Sequence, residues 1–412
     1  MNKIHALLLL VCALLAACSS DSGTLAEASS SSSTGNSSER QVVPVDYSAG
    51  RAMNERLGRG INLGNSWDSK NYGTCGDDDC NIPGTPYNEG YDDWLDGAWG
   101  NPIEDGDFQI VKAAGFNSVR IPVRWQHNSN PITHEVNPER LAGVIEDVSL
   151  AISAGLAVVV DFHWYYELMQ AGNNYIADPA QNAAAYEAEK LHFLSIWAQV
   201  ATALNVFPDS MLALEILNEP TFRNEEVLND VMLGAYQVIR AAAPGKTIIF
   251  ESNSAAKFGL LDKLKLPQDG NIIYTGHYYE PYTFTHEGMN GNEETRKKSC
   301  KGDETYESTV SSDMAKYVAI AQSLYPDVNG GHIPMNMGEF GVAAGARSWC
   351  GNYGYPGPSD KFYALWSKKA VAAAEKYDMS WHYWGFTRVG GFEAYDRAEN
   401  RWYPGILNAL LQ

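Results

Sequence analysis

Basic residues are scarce in this 412-residue sequence. Thirty Lys and Arg stand against fifty Asp and Glu, which gives a formal net charge of −20 at pH 7. Nucleic acids and other anionic polymers bind proteins through basic surfaces, so this balance argues against them as partners. It is compatible with a neutral ligand, although acidity that keeps an exported protein soluble explains it equally well.

Apolar runs long enough to span a bilayer are also absent. The run at the N-terminus, Leu7–Ala17, has the length of a secretory signal and is too short for a stable anchor. It ends in "LAAC", which resembles a bacterial lipobox, where cleavage before the cysteine leaves that residue as the lipid-bearing N-terminus. We therefore expect residues 1–17 to be a lipoprotein signal peptide and Cys18 to carry lipid. The alternative is an ordinary signal peptide with a chance cysteine.

Aromatic residues are missing from residues 19–40, where Ser, Thr, Gly and Ala dominate. Such a segment buries too little apolar surface to offset the entropy of ordering it, so we expect 18–41 to be a flexible tether. Residue 19 is Ser rather than Asp, which favours the outer membrane, in a host that has one, as the membrane that holds the lipidated protein. Residues 42–412 are predicted to form one folded domain of about 370 residues, within the range of a barrel with loop insertions.

Cysteine is sparse, and no Cys-x-x-Cys motif occurs. Because no histidine lies near Cys75 or Cys80 either, a zinc site is disfavoured. Four cysteines remain beyond the signal peptide and Cys18, and in an exported chain they indicate disulfides with three possible connectivities. We favour Cys75–Cys80, which closes a tight local loop, and Cys300–Cys350, which would join two long insertions on one face of the predicted fold.

A phosphate-binding Gly-x-Gly-x-x-Gly motif is missing after the first strand-like run, which disfavours a nucleotide-dependent enzyme on an open α/β sheet. What the chain does contain is eight strand-like runs that alternate with helical patterns. Because parallel strands need long crossovers, eight such units predict a closed (β/α)₈ TIM barrel. The strand-like runs are 59–65, 116–123, 156–163, 211–219, 246–252, 271–279, 332–340 and 379–386. The helical patterns are 104–114, 138–154, 182–206, 225–243, 304–324 and 360–376, and the long loops are 66–99 after strand one and 280–303 after strand six.

Chemically capable residues stand at the ends of these strands, which is where TIM barrels carry their active sites. A solvated rim would be rich in Ser, Asp, Lys and Gly. The strand ends instead carry two glutamates, an arginine, two histidines, amides and aromatic residues. The set is Asn65, Trp67, Arg120, His163, Asn218, Glu219, His277, Tyr279, Glu339 and Trp384.

The two glutamates, Glu219 and Glu339, end strands four and seven, roughly opposite each other across the predicted barrel mouth. Glycoside hydrolysis needs two carboxyl groups flanking one bond, because one protonates the leaving oxygen and the other attacks the anomeric carbon or activates water. A separation of about 5–5.5 Å implies a covalent intermediate and retention, whereas about 6.5–9.5 Å implies inversion. Taken alone, either glutamate could be an ordinary solvated strand end.

Four motifs in chain order carry a family resemblance: "VRIPVRW" at strand two, "NEP" at strand four, "HYY" at strand six and "GEFG" at strand seven. Together they resemble glycoside hydrolase family 5, over nearly all of the chain beyond residue 55. The resemblance implies a retaining enzyme with Glu219 as acid/base and Glu339 as nucleophile, and with no metal or organic cofactor. One departure is Gly385, where the family often has an acidic residue that would make a contact at the rim.

The neighbouring residues suit these implied roles. Arg120 would lower the pKa of the nucleophile Glu339, and Tyr279 could donate a hydrogen bond to the same carboxylate. Partial burial and the charge of Glu339 would raise the pKa of the acid Glu219. Asn218 can bond the sugar 2-hydroxyl, a contact that strengthens at the transition state.

Several further residues at the barrel mouth have an alternative structural role. By the family pattern His163 and His277 line the same subsite, and the alternative for each is an imidazole that braces the rim. Trp384 resembles the family's aromatic platform under the sugar beside the cleaved bond. Glu215, deeper on strand four, is expected to pair with a buried cation. For the loop residues His286 and Glu287, the sequence leaves open whether they pack the loop or form a distal subsite. Six tryptophans are candidates to extend the groove, and only some of them should touch sugar: Trp67, Trp94, Trp99, Trp125, Trp164 and Trp349.

The sequence thus predicts a lipid-anchored, monomeric, retaining endo-β-1,4-glucanase whose partner is cellulose or mixed-linkage β-glucan. A β-mannanase or a xyloglucanase would use the same catalytic pair, so the motifs do not choose among these substrates. A surface carbohydrate-binding lipoprotein without catalysis is a different class, and the intact set of Glu219, Glu339, Arg120 and Asn218 argues against it.

Overall fold

In the computed structural model, eight parallel strands close into a barrel. Each strand pairs with its neighbour in chain order, and the last pairs with the first, so the (β/α)₈ prediction is confirmed. The strands are β1 (Arg59–Asn62), β2 (Ser118–Val123), β3 (Ala157–Phe162), β4 (Leu212–Glu215), β5 (Thr247–Glu251), β6 (Ile272–Tyr278), β7 (Met335–Phe340) and β8 (Ser380–Tyr383). The structure describes residues 42–69, 100–286, 309–343, 360–389, 391–403 and 405–412.

Helices cover the outside of the barrel and one of its ends. The longer ones are α1 (Ser48–Leu57), α2 (Asp107–Ala114), α3 (Pro138–Ser153), α4 (Tyr166–Ala177), α5 (Pro179–Leu204), α6 (Glu225–Ala242), α7 (Val310–Leu324), α8 (Asp360–Glu375) and α9 (Ile406–Leu411). Short turns of helix occupy Gln126–Asn128, Asn253–Ala256, Phe258–Lys263 and Tyr282–Thr285, and Tyr395–Asp396 pairs antiparallel with Arg401–Trp402. The sequence did not predict α1 or α4. In α4, Gly172, Asn173 and Asn174 are poor helix formers that dilute the apolar pattern.

Helix α1 closes the N-terminal end of the barrel. Its Met53 and Leu57 form a buried apolar cluster with inward-facing residues near the starts of the strands, Ala157, Val159, Ala213, Ile249 and Ile273. Since side chains alternate between the two faces of a strand, the residue two positions further along also faces inward. On four strands that next residue is polar and fully buried: Asp161, Glu215, Glu251 and Thr275. The side chains that line the barrel interior therefore change from apolar near its N-terminal end to polar near its mouth.

A break in register aims Glu339 into the barrel mouth. On β7, Asn336 faces inward, and its amide nitrogen donates to Ser380 Oγ at 2.7 Å. Strict alternation from Asn336 would turn residue 339 outward. The pairing of β7 with β6 shifts between Gly276 and His277, and Glu339 comes to lie opposite His277. Irregularities of this kind commonly redirect side chains beside functional sites.

Several predictions fall outside the described residues. They concern the signal peptide, the lipid on Cys18, the tether, and most of both long loops. The same holds for Glu287 and for Cys75, Cys80, Cys300, Cys350, Trp94, Trp99 and Trp349. Within the residues that are described, no helix combines the length and the apolar character needed to cross a bilayer.

Candidate active site

Arg120 lies at the centre of the barrel mouth. It comes from the middle of β2 and its side chain is fully buried. Its Nη1 donates to Asn62 Oδ1 at 2.9 Å and to Glu339 Oε1 at 2.9 Å, and its Nη2 donates to Asn218 Oδ1 at 2.7 Å. The planar guanidinium thus holds side chains from β1, β7 and the segment after β4 in one fixed arrangement.

Two buried carboxylates share the charge of Arg120. Glu215 accepts from Nε at 3.1 Å and from Nη2 at 2.7 Å, and Asp161 forms an ion pair with Nη2. The prediction that Glu215 pairs with a buried cation is therefore confirmed. Burial acts to raise the pKa of Glu215, but the charge and hydrogen bonds of Arg120 outweigh it and lower the pKa to about 2. Glu215 is consequently ionised at neutral pH.

The carboxylate of Glu339 is held at both oxygens. Oε1 accepts from Arg120 Nη1, and Oε2 accepts from the Tyr279 hydroxyl at 3.0 Å. The residue is 5% exposed, so little besides a ligand in the cleft reaches it. Burial and the charge of Glu339 raise the pKa of Tyr279 well above its ordinary value, so its hydroxyl remains a donor. The predicted contacts of Arg120 and Tyr279 are both present.

Glu219 stands beyond the end of the β4 ladder with its backbone in the left-handed region, at φ 47°. A non-glycine residue is held in that region only when its surroundings determine the geometry. Its backbone N–H donates to Glu251 Oε2 at 2.6 Å, and its side-chain Oε1 lies 2.9 Å from His277 Nδ1. The side chain is 34% exposed, so one part faces the cleft while the other is fixed by His277.

The two catalytic candidates lie close together. One carboxylate oxygen of Glu219, one of Glu339 and a ring nitrogen of His277 all lie within 4.8 Å of one another. Oxygens this close are compatible with the short carboxyl separation, about 5–5.5 Å, of retaining enzymes. His277 Nδ1 faces both acids, at 2.9 Å from Glu219 and 3.6 Å from Glu339 Oε2.

The pKa order of the pair differs from the sequence prediction. Burial acts to raise the pKa of Glu219, but the hydrogen bond and charge of His277, with His163 and Arg120, bring it below its ordinary value. Burial and repulsion from Glu219 leave the pKa of Glu339 raised, despite His277 and Arg120. We expected the reverse, and that expectation is wrong for the free protein. The causes are the position of His277 against Glu219 and the division of the Arg120 charge among several acids.

His163 and Trp384 form one wall of the cleft. Their rings are nearly parallel, with centroids 5.9 Å apart. His163 Nδ1 lies 3.1 Å from Asp161 Oδ2, which fixes the imidazole from the barrel side. Burial acts to lower the pKa of His163, but the charge of Asp161 raises it overall. A side chain at Gly64 would collide with the Trp384 indole, since its Cβ would lie 2.3 Å from Cη2. Both residues thus reach the mouth, where Trp384 can serve as a sugar platform.

Two of the predicted groove tryptophans are core residues instead. Trp67 is 5% exposed, its Nε1 donates to Asp147 Oδ2 at 2.6 Å, and its ring packs against the Arg140 guanidinium. Trp125 is fully buried. The predicted sugar contact of Trp67 is therefore wrong, because its ring packs against α3, and Trp125 is not among the groove candidates that reach sugar. Trp164 is half-buried beside His163, so its predicted place on the groove stays open.

Asn65 and His286 both contact neighbouring loop residues at the barrel mouth. Asn65 Nδ2 donates to the carbonyl of Arg388 in the segment after β8, at 3.1 Å. His286 stacks on Tyr282 with ring centroids 3.8 Å apart and meets Tyr279 edge-on at 5.0 Å. Burial lowers the pKa of His286 to about 4, so it is neutral at physiological pH. These contacts favour loop packing for His286 over a distal subsite.

Among the residues at the site that were not predicted are Asn62, Asp161 and Glu251. Each is buried and faces the barrel interior next to Arg120 or His277. The signal was present for two of them, because "VVVDF" and "IIFES" each interrupt an apolar strand with an acid near its end, as "LALE" does. An acid in the interior of a barrel strand requires a partner, and Arg120 was the available cation.

Comparison with known proteins identifies the family. The cellulase family, glycosyl hydrolase family 5, matches residues 76–388. The chain belongs to this family. The family match extends from the first long loop through β8, so it includes every strand from β2 onward and all of the acids described above.

Several curated relatives are endoglucanases by name. Endoglucanase A of Paenibacillus barcinonensis is 26% identical over 401 residues, which cover 86% of this chain and 88% of that protein. Endoglucanase H of Acetivibrio thermocellus is 26% identical over 314 residues, which cover 75% of this chain but only 28% of that much longer protein. A xyloglucan-specific endo-β-1,4-glucanase of Bacteroides ovatus is 26% identical over 55% of this chain and 44% of its own length.

Solved structures agree with this assignment. Endoglucanase Cel5A of Thermotoga maritima superposes with a TM-score of 0.68 at 29% identity, over 89% of this chain and all of that one. Structures of the same enzyme have been described with cellobiose and with mannotriose, both at 28% identity to this chain. Family membership and the barrel are thus supported by sequence and by structure.

Proposed function

We propose that the protein is a retaining endo-β-1,4-glucanase that acts on cellulose or mixed-linkage β-glucan. The observation that carries the proposal is the close approach of Glu219 and Glu339 in the barrel mouth, because an acid and a nucleophile with oxygens within 4.8 Å of each other suit a double displacement. The endoglucanase relatives support the choice of substrate class.

In the first step Glu339 attacks the anomeric carbon while Glu219 protonates the departing glycosidic oxygen. The bond from carbon to the leaving oxygen breaks as the ester to Glu339 forms. Arg120 and Tyr279 hold the attacking carboxylate in place, and Asn218, itself fixed by Arg120, is positioned for the sugar 2-hydroxyl. In the second step Glu219 removes a proton from water, the water attacks the same carbon, and Glu339 is released with retention.

The protons must be arranged before the first step, because the reaction needs Glu219 protonated and Glu339 ionised. In the free protein the pKa of Glu219 is lowered, because the hydrogen bond and charge of His277 outweigh burial, whereas burial raises the pKa of Glu339. The two acids are coupled, so the quantity that matters is the proton they hold together rather than a fixed value for either. His277 Nδ1 lies 2.9 Å from Glu219 Oε1 and 3.6 Å from Glu339 Oε2, so the protonation of this imidazole affects both acids.

The preferred glycan is tested by substrate comparison. Barley β-glucan and carboxymethylcellulose should release reducing sugar fastest, with galactomannan and xyloglucan slower. Activity confined to galactomannan would replace the glucanase proposal by a mannanase, and activity confined to xyloglucan would replace it by a xyloglucanase. The Bacteroides relative and the mannotriose complex of the Thermotoga enzyme are the specific reasons to include both competitors.

The mechanism is tested with Glu339→Ala on soluble β-glucan. We expect turnover to fall by at least about 10³-fold, with folding and sugar binding retained, because no nucleophile remains. Proton NMR of the wild-type reaction should show the β-anomer formed first. An initial α-anomer, or wild-type turnover by the variant, would contradict double displacement. Sugar binding without turnover by the wild-type protein would favour a non-catalytic carbohydrate-binding role.

We also propose that the enzyme is monomeric and held at the cell envelope, in the outer membrane of a host that has one, by lipid on Cys18. The proposal rests on the lipobox-like "LAAC" and on the polar segment 18–41. In a bacterial host, the wild-type protein should partition into detergent and incorporate labelled palmitate, whereas Cys18→Ser should do neither and keep its activity. Equal partitioning of both forms would indicate an ordinary signal peptide.

A further inference from the structure

Glu251 is a buried acid for which the reaction above has no role. It is the last residue of β5, its side chain is fully buried, and it lies opposite Thr275 of β6 in the barrel wall. An acid in this environment is costly unless something holds it. Its contacts are therefore informative about what it does.

One oxygen of Glu251 contacts Glu219 and the other contacts His277. Oε2 accepts the backbone N–H of Glu219 at 2.6 Å. Oε1 forms an ion pair with His277 Nε2 at 3.3 Å, with the two buried atoms out of line for a regular hydrogen bond, and the carboxyl group of Glu215 also lies against Glu251. The opposite ring nitrogen of His277, Nδ1, lies 2.9 Å from Glu219 Oε1. A continuous chain thus runs from Glu251 through the imidazole to the carboxyl group of Glu219.

We propose that Glu251 is a positioning residue for the acid/base Glu219, fixing its backbone directly and its proton through His277. The inference rests on the proposed retaining glycosidase activity, since it assigns Glu219 the acid/base role. It concerns a residue of β5 that none of the four family-like motifs contains.

The chain of contacts allows two arrangements with the same number of protons. In one, Glu251 Oε1 carries a proton directed at Nε2, and Nδ1–H donates to the Glu219 carboxylate. In the other, Nε2–H donates to the Glu251 carboxylate, and protonated Glu219 donates to bare Nδ1. The first becomes the second when one proton moves from Oε1 to Nε2 and another from Nδ1 to Glu219. Neither charge nor atoms are lost, and Glu219 gains the proton that the first chemical step needs.

The surroundings keep a proton in this chain at neutral pH. Glu251 is faced by Arg120 Nη2 at 3.8 Å and by the carboxylate of Glu215. Burial raises the pKa of Glu251 well above its ordinary value, and Glu215 raises it further although His277 opposes this. Burial opposes a second proton on the His277 imidazole, but Glu339 and Glu251 raise its pKa well above the ordinary value. The two arrangements therefore interconvert through an imidazolium whose Nδ1–H and Nε2–H face the carboxylates of Glu219 and Glu251.

The experiment compares two substrates that differ in their need for an acid. Polymeric β-glucan has a poor leaving group and needs protonation, whereas 2,4-dinitrophenyl β-cellobioside does not. In Glu251→Gln the amide carbonyl can still accept the N–H of Glu219, but the NH₂ group directed at Nε2 keeps the imidazole proton on Nδ1 and Glu219 ionised. We expect kcat/KM on β-glucan to fall about 30- to 100-fold and kcat/KM on the dinitrophenyl substrate to change by less than about 3-fold.

A matched control is Asp107→Asn. Asp107 is also a buried acid in an ion pair, with Arg397, but it lies at the start of α2 outside the site. Its substitution should leave the ratio of the two activities unchanged. An equal loss on both substrates in Glu251→Gln, or no loss on either, would overturn the proposal, because a merely structural acceptor would give one of those results. A wild-type protein inactive on every β-glycan would instead overturn the proposed function.

A second variant keeps the test decisive if Glu251→Gln does not fold. Glu251→Asp retains the carboxyl group and withdraws it by one methylene, so the same selective loss should appear at smaller size, about 3- to 10-fold on β-glucan. Nitrogen-15 NMR of labelled histidine in the unaltered protein gives an independent measurement. It should show Nε2 of His277 sharing its proton with a carboxyl group, and a freely titrating His277 with an ordinary pKa would refute the relay.

Discussion

Replacing Arg120 by lysine tests the central claim that one buried cation organises the site. Arg120 donates five hydrogen bonds to Asn62, Asn218, Glu215 and Glu339. Lysine has three donors, so at least two of these bonds are lost, and each bond to a charged group is worth about 1.5–3 kcal/mol. We therefore expect the free energy of unfolding to fall by roughly 3–6 kcal/mol, although lysine keeps the positive charge.

The loss should depend on pH in a defined direction. Arg120 depresses the folded-state pKa of Glu215 to about 2, from an ordinary value of 4.5. A group with a depressed folded pKa contributes stability above its unfolded pKa and loses it as the pH falls through the folded value. The stabilisation is therefore complete near pH 7, declines below about pH 4.5 and is nearly gone near pH 2. The difference between wild type and Arg120→Lys should be largest at neutral pH and smaller at pH 3.

The assay is urea denaturation at pH 7 and pH 3, with kcat/KM on β-glucan measured in parallel. Activity should fall at least about 100-fold, because Glu339 and Asn218 lose a shared anchor. Arg51→Lys is the control, since Arg51 is 35% exposed in its pair with Asp327 and such pairs contribute about 0–1 kcal/mol. An Arg120→Lys protein within about 1 kcal/mol of wild type and with half its activity would refute the reasoning.

Other predictions follow from single contacts. Trp384→Ala should lower kcat/KM on β-glucan about 10- to 100-fold, because it removes the aromatic platform under the sugar. Trp67→Ala should instead lower the free energy of unfolding by about 3–5 kcal/mol, measured by urea denaturation, and leave KM unchanged. Gly143→Ala should destabilise by about 1–3 kcal/mol, because its Cβ would lie 2.6 Å from the Trp67 ring. Burial lowers the pKa of His192 to about 4, so wild-type stability should fall as the pH drops from 6.5 to 4, where only the unfolded chain binds the proton. His192→Gln should lessen that fall, and an unchanged pH profile would contradict it.

The catalytic pair was predictable because two independent rules agree on it. The alternation of strands and helices gave a barrel, and active sites in barrels occupy the strand ends, so Glu219 and Glu339 had to face one space. The family-like motifs then assigned their roles. The barrel and the family are confirmed, and the predicted pairing of Glu215 is confirmed as well. The roles of the individual residues stay predictions that the variants above will test.

The orientation of loop residues was not predictable in the same way. Trp67 and Trp384 both follow a strand, and nothing in their local sequence separates them. Trp67 is drawn into the core by Asp147 and Arg140, more than seventy residues away in the chain, while Trp384 meets His163. Likewise the inward direction of Glu339 depends on the register shift between β6 and β7. Such contacts are set by tertiary packing, and a strand pattern does not contain them.

The pKa order failed for a reason that bears on the mechanism. The sequence prediction considered the charge of Arg120 as acting on the pKa of Glu339 alone. Among the described residues of the site, five carboxyl groups surround one permanent cation: Asp161, Glu215, Glu219, Glu251 and Glu339. One guanidinium cannot neutralise five buried charges, so protons on the acids and on His163 and His277 must supply the balance. The protonation states of Glu219 and Glu339 therefore depend on how the whole cluster distributes its protons when sugar binds. A substitution at Glu251 or Asp161 should consequently shift the pH profile of turnover, although neither residue reaches the substrate.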